Sequence, residues 1–143
     1  MTGWARRGLP LLALIAAGCS SGTAPPAEDF VGMWHASKVE YVSKAGLGTV
    51  DIVAIGRTVT LQLNADKTAI LTITPAGGAP QVSTGTWDNS IDVFNFNVGP
   101  SSGWSWDYSL SGGTLTLTGA DSSWDFNNDG AQEDAKFNLT LHK

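Results

Sequence analysis

Trp104-Ser105-Trp106-Asp107-Tyr108-Ser109-Leu110-Ser111-Gly112-Gly113-Thr114-Leu115-Thr116-Leu117 is the stretch that decides the fold. Trp104, Trp106, Tyr108 and Leu110 alternate with Ser105, Asp107 and Ser109. A period of two places all four large side chains on one face of a strand. Ser111-Gly112-Gly113 is a hairpin turn. Leu115 and Leu117 then resume the alternation on a returning strand, which continues toward Trp124 and Phe126.

The same pattern extends in both directions. Upstream, Trp34 to Ser43 forms a first strand that ends at Lys44-Ala45-Gly46. Thr49 to Ile55 is apolar without a clear period, and is either a loop across a barrel mouth or an early strand. Val59, Leu61 and Leu63 alternate with threonines and Gln62. Asn64-Ala65-Asp66-Lys67 turns the chain, and Ala69, Leu71 and Ile73 return. Pro75 to Pro80 is a loop, because proline cannot donate to a central ladder. Gln81 to Trp87 is a strand, turned by Asp88-Asn89-Ser90. Ile91 to Val98 follows, with Phe94, Phe96 and Val98 on one face, and Gly99 to Gly103 is a loop. Near the end, Ala135 to His142 buries Phe137, Leu139 and Leu141.

About eight strands joined by short turns predict an antiparallel meander. Closing the sheet removes its edges and gives an eight-stranded up-and-down barrel. A β-sandwich is the alternative. No segment carries a helical apolar stripe.

Gly32-Met33-Trp34, Thr84-Gly85-Thr86-Trp87 and Leu115-Thr116-Leu117-Thr118 resemble motifs of lipocalins and of small bacterial lipocalin-like lipoproteins. The resemblance covers roughly Phe30 to Lys143. It implies a barrel whose tryptophan, here Trp34, plugs one end, often under an arginine near the last strand. Arg57, the only arginine beyond the leader, is misplaced for that role. The resemblance also implies a small hydrophobic ligand. The expected lining is Phe94, Phe96, Trp104, Trp106, Tyr108 and Trp87. Each aromatic side chain buries roughly 150–250 Å², a load that argues against a large cavity: any pocket should lie at one mouth, and the alternative is that these residues are simply core.

The amino-terminal stretch sets location. Arg6 and Arg7 precede the apolar run Leu11-Leu12-Ala13-Leu14-Ile15, and Ala16-Ala17-Gly18 leads to Cys19. A basic start, a short apolar run and small residues make a secretion signal over residues 1–18. With the cysteine next, it resembles the lipobox of bacterial lipoproteins, although Ala16 stands where that family usually has leucine. The resemblance implies lipidation of Cys19, with acyl chains such as palmitate holding the protein on a bilayer. The alternative is an ordinary secretory signal with an incidental cysteine. The apolar stretch is short of the ~20 residues a spanning helix needs. Ser20, rather than aspartate, follows the cysteine, which predicts an outer-membrane destination in a Gram-negative host. Residues 19–28, rich in Ser, Gly, Ala and Pro, are expected to be a flexible tether, and residues 29–143 the barrel domain.

The chain carries a net charge of −5, which becomes −7 when Arg6 and Arg7 leave with the leader. Such a surface disfavours nucleic acid and anionic headgroups. Cys19 is the only cysteine, so no disulfide braces the domain.

Asp125-Phe126-Asn127-Asn128-Asp129-Gly130-Ala131-Gln132-Glu133 is a second candidate site. Oxygen side chains at positions 1, 3 and 5, glycine at 6 and an acid at 9 match the first half of a calcium loop. Asp125, Asn127, Asp129, Glu133 and the Ala131 carbonyl are the candidate ligands. Position 12 is Lys136 and the flanks are strands, so this is no EF-hand. It resembles calcium loops set in β-hairpins, with affinity on the order of 10⁻⁴–10⁻³ M. The alternative is a solvated acidic turn.

No catalytic constellation appears. His35 and His142 stand far apart in sequence, no second cysteine exists, and the acids are scattered over turns. The expectation is a non-enzymatic envelope protein. It either carries a hydrophobic ligand or contacts another envelope protein through its loops.

Overall fold

The computed structural model describes residues 22–143. The secretion signal expected over residues 1–18 and Cys19 lie outside the described residues. Nine strands form one sheet: β1 (Gly32–Ser43), β2 (Thr49–Asp51), β3 (Thr58–Leu63), β4 (Thr68–Thr74), β5 (Gln81–Asn89), β6 (Val93–Gly99), β7 (Ser102–Ser111), β8 (Thr114–Trp124) and β9 (Glu133–His142). Every neighbouring pair is antiparallel, and β9 pairs with β1, so the sheet closes. The result is an eight-stranded up-and-down barrel with β2 as an extra strand, rather than a sandwich.

β2 resolves the ambiguous Thr49 to Ile55 stretch. The first part of β1 pairs with β3 from Gly32 to His35, and its far part pairs with β2 from Glu40 to Val42. β2 therefore covers an edge that β3 is too short to reach. Asp51 then turns the chain inward. Its Oδ1 accepts the backbone N–H groups of Val39 and Val53 at 3.2 and 3.0 Å. Ile52 is buried completely, and residues 53–57 fold back over the barrel end. Both alternatives for this stretch are thus realised, in sequence.

Two bulges reset the inward face. Between Ala36 and Lys38 the β1–β9 register shifts, so Trp34 and Ala36 are followed inward by Val39, Tyr41 and Ser43. Between Leu117 and Ala120 the β8–β9 register shifts too. Gly119, at φ 88°, occupies that bulge, and its N–H donates to Asn138 Oδ1 at 2.7 Å. One extra residue exchanges the two faces of a strand. The second bulge therefore turns Ala120 and Trp124 toward the interior. A further shift between Asn97 and Gly99 leaves Val98, expected inside, 36% exposed.

The interior is packed. Phe30, Trp34, Phe94, Phe96, Leu115, Leu117 and Phe137 have no exposed surface, and Trp87 and Trp106 have almost none. Phe30 touches Trp87, Phe94 and Tyr108 with ring centroids 5.4–5.8 Å apart. Indole donors are satisfied internally: Trp34 Nε1 donates to Phe30 O, Trp87 Nε1 to Asn64 O and Trp106 Nε1 to Phe137 O. Buried rings meet this condition because an unpaired buried N–H is costly.

The two barrel ends differ. At the first, the short 3₁₀ turn Ala27–Asp29 lays Phe30 into the core. Asn89 Nδ2 donates to Pro25 O at 3.0 Å, so the chain reaches the barrel before Asp29, within the stretch expected to be a tether. Lys143 Nζ lies 4.7 Å from the Trp34 ring centroid, a cation at the end of β9 where the lipocalin resemblance placed an arginine. At the second end lie the long connections: the loop after β2, Pro75 to Pro80, and the acidic loop between β8 and β9.

Candidate functional site

The six residues expected to line a hydrophobic pocket are brought together by β5, β6 and β7. Cross-strand partners Trp87↔Phe96, Phe94↔Trp106 and Phe96↔Trp104 place them on one inner face. They contact one another: Trp87 stacks on Phe94 at 5.9 Å, Phe96 on Trp104 at 5.8 Å, and Trp104 on Trp106 at 6.1 Å. Tyr108 donates its hydroxyl to Ser90 O at 2.7 Å. Trp104 and Tyr108 are the half-buried members, Trp104 beside the turn at Pro100 and Ser101.

The acidic loop is built as a set of carboxylate turns. Asp125 accepts the N–H groups of Asp129 and Gly130, and Asp129 accepts that of Ala131 at 2.7 Å. Asn127 Oδ1 accepts from Asp129 N, while its Nδ2 donates to Asp129 Oδ2. Glu133 Oε2, at the start of β9, accepts from Phe126 N at 2.8 Å. These bonds draw Asp125, Asp129 and Glu133 together, with one carboxylate oxygen of each within 4.8 Å of the others. Three converging carboxylate oxygens are part of the roughly six to eight oxygens that calcium takes.

Beside this loop lies a cleft of about 400 Å³, lined by Tyr41, Arg57, Gln81, Trp124, Asn128 and Gln132, with Ser123 and Asp125 at its side. It was not legible as a site in the sequence, because it depends on the β8 bulge and on the loop after β2. The bulge aims Trp124 inward at the mouth. There it stacks on Tyr41 with centroids 4.8 Å apart, and Tyr41 stacks on buried Phe137 at the same distance. The loop after β2, pinned by Ile52, carries Arg57 back so that its Cζ lies 5.1 Å from the Trp124 centroid. Burial pushes the Tyr41 phenol above its ordinary pKa, and the Arg57 charge pulls it partly back.

At the other end, a cleft of about 520 Å³ runs between Pro25, Asp29, Trp34, Gly112, Gly113 and Lys143. It is crossed by the entering chain.

Barrel closure also joins the two histidines. His35 and His142 are cross-strand partners on β1 and β9. His142 Nε2 lies 2.9 Å from Ser37 Oγ, and its Nδ1 lies 3.1 Å from Thr114 Oγ1. That the two histidines become neighbours follows from closing the first strand on the last; the contacts to Ser37 and Thr114 were not legible in the sequence. It sits exposed on the outer wall, its third member is a threonine rather than a carboxylate, and none of the clefts described above includes it. A serine needs an oriented base and a shielded oxyanion site to act as a nucleophile.

No family model matches the chain, and comparison with curated proteins and with solved structures likewise finds no match. The fold class, a closed antiparallel barrel with one plugged end and one loop-bearing end, is therefore defined by the structure alone. Among the described residues no helix is long and apolar enough to cross a membrane.

Proposed function

We propose that this protein is a lipid-anchored, non-catalytic lipoprotein of the bacterial cell envelope, whose barrel presents its loop-bearing end to the surroundings. The leader and Cys19 supply the anchor in this reading, and Ser20 supports transfer to an outer membrane where the host has one. The observation that carries the orientation is the chain's point of entry. Pro25 to Phe30 cross the plugged end, opposite the loop Asp125 to Gln132. An acyl group on Cys19, six residues before Pro25, then holds the plugged end nearest the bilayer. The cleft at Arg57 and the acidic loop face away from it.

The packed interior favours a display module over a carrier that encloses a hydrophobic ligand. The rings of Trp87, Phe94, Phe96 and Trp106 already fill one another's contact surface. Calcium at Asp125, Asp129 and Glu133 would stiffen the displayed end, and the convergence of their oxygens within 4.8 Å supports it.

Metabolic labelling with palmitate tests the anchor. Label on the wild-type chain and none on Cys19→Ala is the expected result, and an unlabelled wild-type chain overturns it. Native mass spectrometry of the labelled protein tests the display role. A mass equal to chain plus lipid anchor is expected, and a stoichiometric hydrophobic passenger restores the carrier reading.

A further inference from the structure

We propose that the cleft at the loop-bearing end binds a monocarboxylated sugar, a hexuronate, with its carboxylate on Arg57. The inference goes beyond the display role and needs no lipid anchor. It starts from the unspent chemistry of Arg57. A guanidinium offers five donors in a planar fork. Among the described residues, the three ion pairs all use lysine, and no hydrogen bond engages the Arg57 side chain. Its Cζ lies 5.1 Å from the Trp124 ring centroid, a contact that holds the fork in place without using its N–H groups. A half-buried, preoriented guanidinium with free donors fits a carboxylate bidentately.

The rest of the lining suits a sugar ring. Trp124 has one face on Tyr41 and the other under Arg57, so the half-buried indole offers its edge, not a face, to the C–H groups of a pyranose. Gln132 has its Oε1 occupied by Ser123 Oγ at 2.8 Å, so its free amide group is a donor for a ring hydroxyl. Gln81 and Asn128 add further amides at the rim. A volume of about 400 Å³ falls at the lower end of the range for small-molecule sites, roughly 300–1,000 Å³.

Charge limits the ligand to one acid group. Asp125 borders the cleft, but its carboxylate faces the N–H groups of Asp129 and Gly130, which offset part of its field. Asp129 and Glu133 stand behind it, and the chain as a whole is at −5. A phosphorylated or polyanionic ligand would meet that field with a single arginine to oppose it.

Titration of the full-length chain, in a zwitterionic detergent without sugar headgroups, decides the matter. Glucuronate or galacturonate at millimolar concentration should shift one indole N–H resonance, identified as Trp124 by its loss in Trp124→Phe. Glucose at equal concentration should leave that resonance in place. Arg57→Gln should weaken uronate binding by roughly tenfold or more, with Arg57→Lys intermediate and both variants folded, melting within a few degrees of wild type as expected for loss of a cation over an indole. No shift with either uronate, equal binding of glucose, or undiminished binding by a folded Arg57→Gln would each overturn the proposal.

Discussion

Lys143 and Trp34 lock the ends of the barrel chain together. The Lys143 ammonium stands 4.7 Å from the Trp34 ring centroid and donates to Asp29 O at 2.8 Å. One cation thus ties β9, β1 and the turn that carries Phe30. Trp34 completes the lock by donating its indole N–H to Phe30 O at 2.7 Å. A cation over an indole contributes about 0.5–2 kcal/mol, depending on desolvation. Lys143→Met should therefore lower the melting temperature by a few degrees, whereas Lys143→Arg should retain most of it. Equal melting of Lys143→Met and wild type would show that the contact contributes nothing.

Gly85 and Gly103 sit where β5 and β7 leave no room for a Cβ against the β6 backbone. A Cβ on Gly85 would land on the carbonyl oxygen of Asn97, and one on Gly103 on that of Phe96. These are backbone atoms of a central strand and cannot rotate aside. Gly85→Ala should force β5 and β6 apart at the strand that carries Phe94 and Phe96, with a loss of roughly 1–3 kcal/mol or more as for other overpacked sites. Chemical denaturation measures it. Gly46→Ala is the contrast: its Cβ meets nothing within 4 Å, although φ of 78° imposes backbone strain there.

The strand pattern was legible because Trp104 to Leu110 and Val59 to Leu63 alternate without interruption, and alternation is all a half-buried strand requires. Barrel closure followed from the count of strands. The bulges were not legible. Nothing in Ala36-Ser37-Lys38 announces an extra residue, and Gly119 alone does not distinguish a bulge from a turn. Trp124 therefore carried no clear face, and the cleft it forms with Arg57 needed four segments distant in sequence. The acidic loop was legible, since the spacing of its oxygen-bearing side chains is local. So were the six aromatic residues as a group, but alternation cannot separate a lined pocket from a filled core.

Asp121 links the loop-bearing end to acid sensitivity. Its Oδ1 accepts from Lys44 and Lys136, each at 2.7 Å, and these lysines hold its pKa down to about 2 from an ordinary 3.8. A carboxylate depressed in the folded state stabilises fully above its unfolded pKa, and loses that contribution as pH falls through the folded value. The melting temperature of Asp121→Asn should therefore lie below wild type by a constant amount above about pH 5, and the two should converge between pH 4 and about 2. The group is exposed, so the difference should be modest and should shrink in high salt. A gap that persists unchanged at pH 2 would assign the effect to something other than this charge.

The acidic loop makes the last prediction. In Asp125, Asp129 and Glu133, three carboxylates crowd within 4.8 Å without a lysine or arginine among their hydrogen-bond partners. Their mutual repulsion is relieved in part by backbone N–H groups, and a divalent cation would relieve it further. Ligands that bind only the folded state stabilise by an amount set by concentration relative to Kd. With Kd on the order of 10⁻⁴–10⁻³ M, millimolar calcium should raise the melting temperature by a few degrees over chelator. Magnesium should do less, because it gives up its waters reluctantly. Asp129→Asn should abolish the calcium response while raising stability in chelator, since it removes one of three like charges. If calcium leaves the wild-type melt unmoved and Asp129→Asn still stabilises, the loop is an acidic turn held by its own backbone, with no role for a metal.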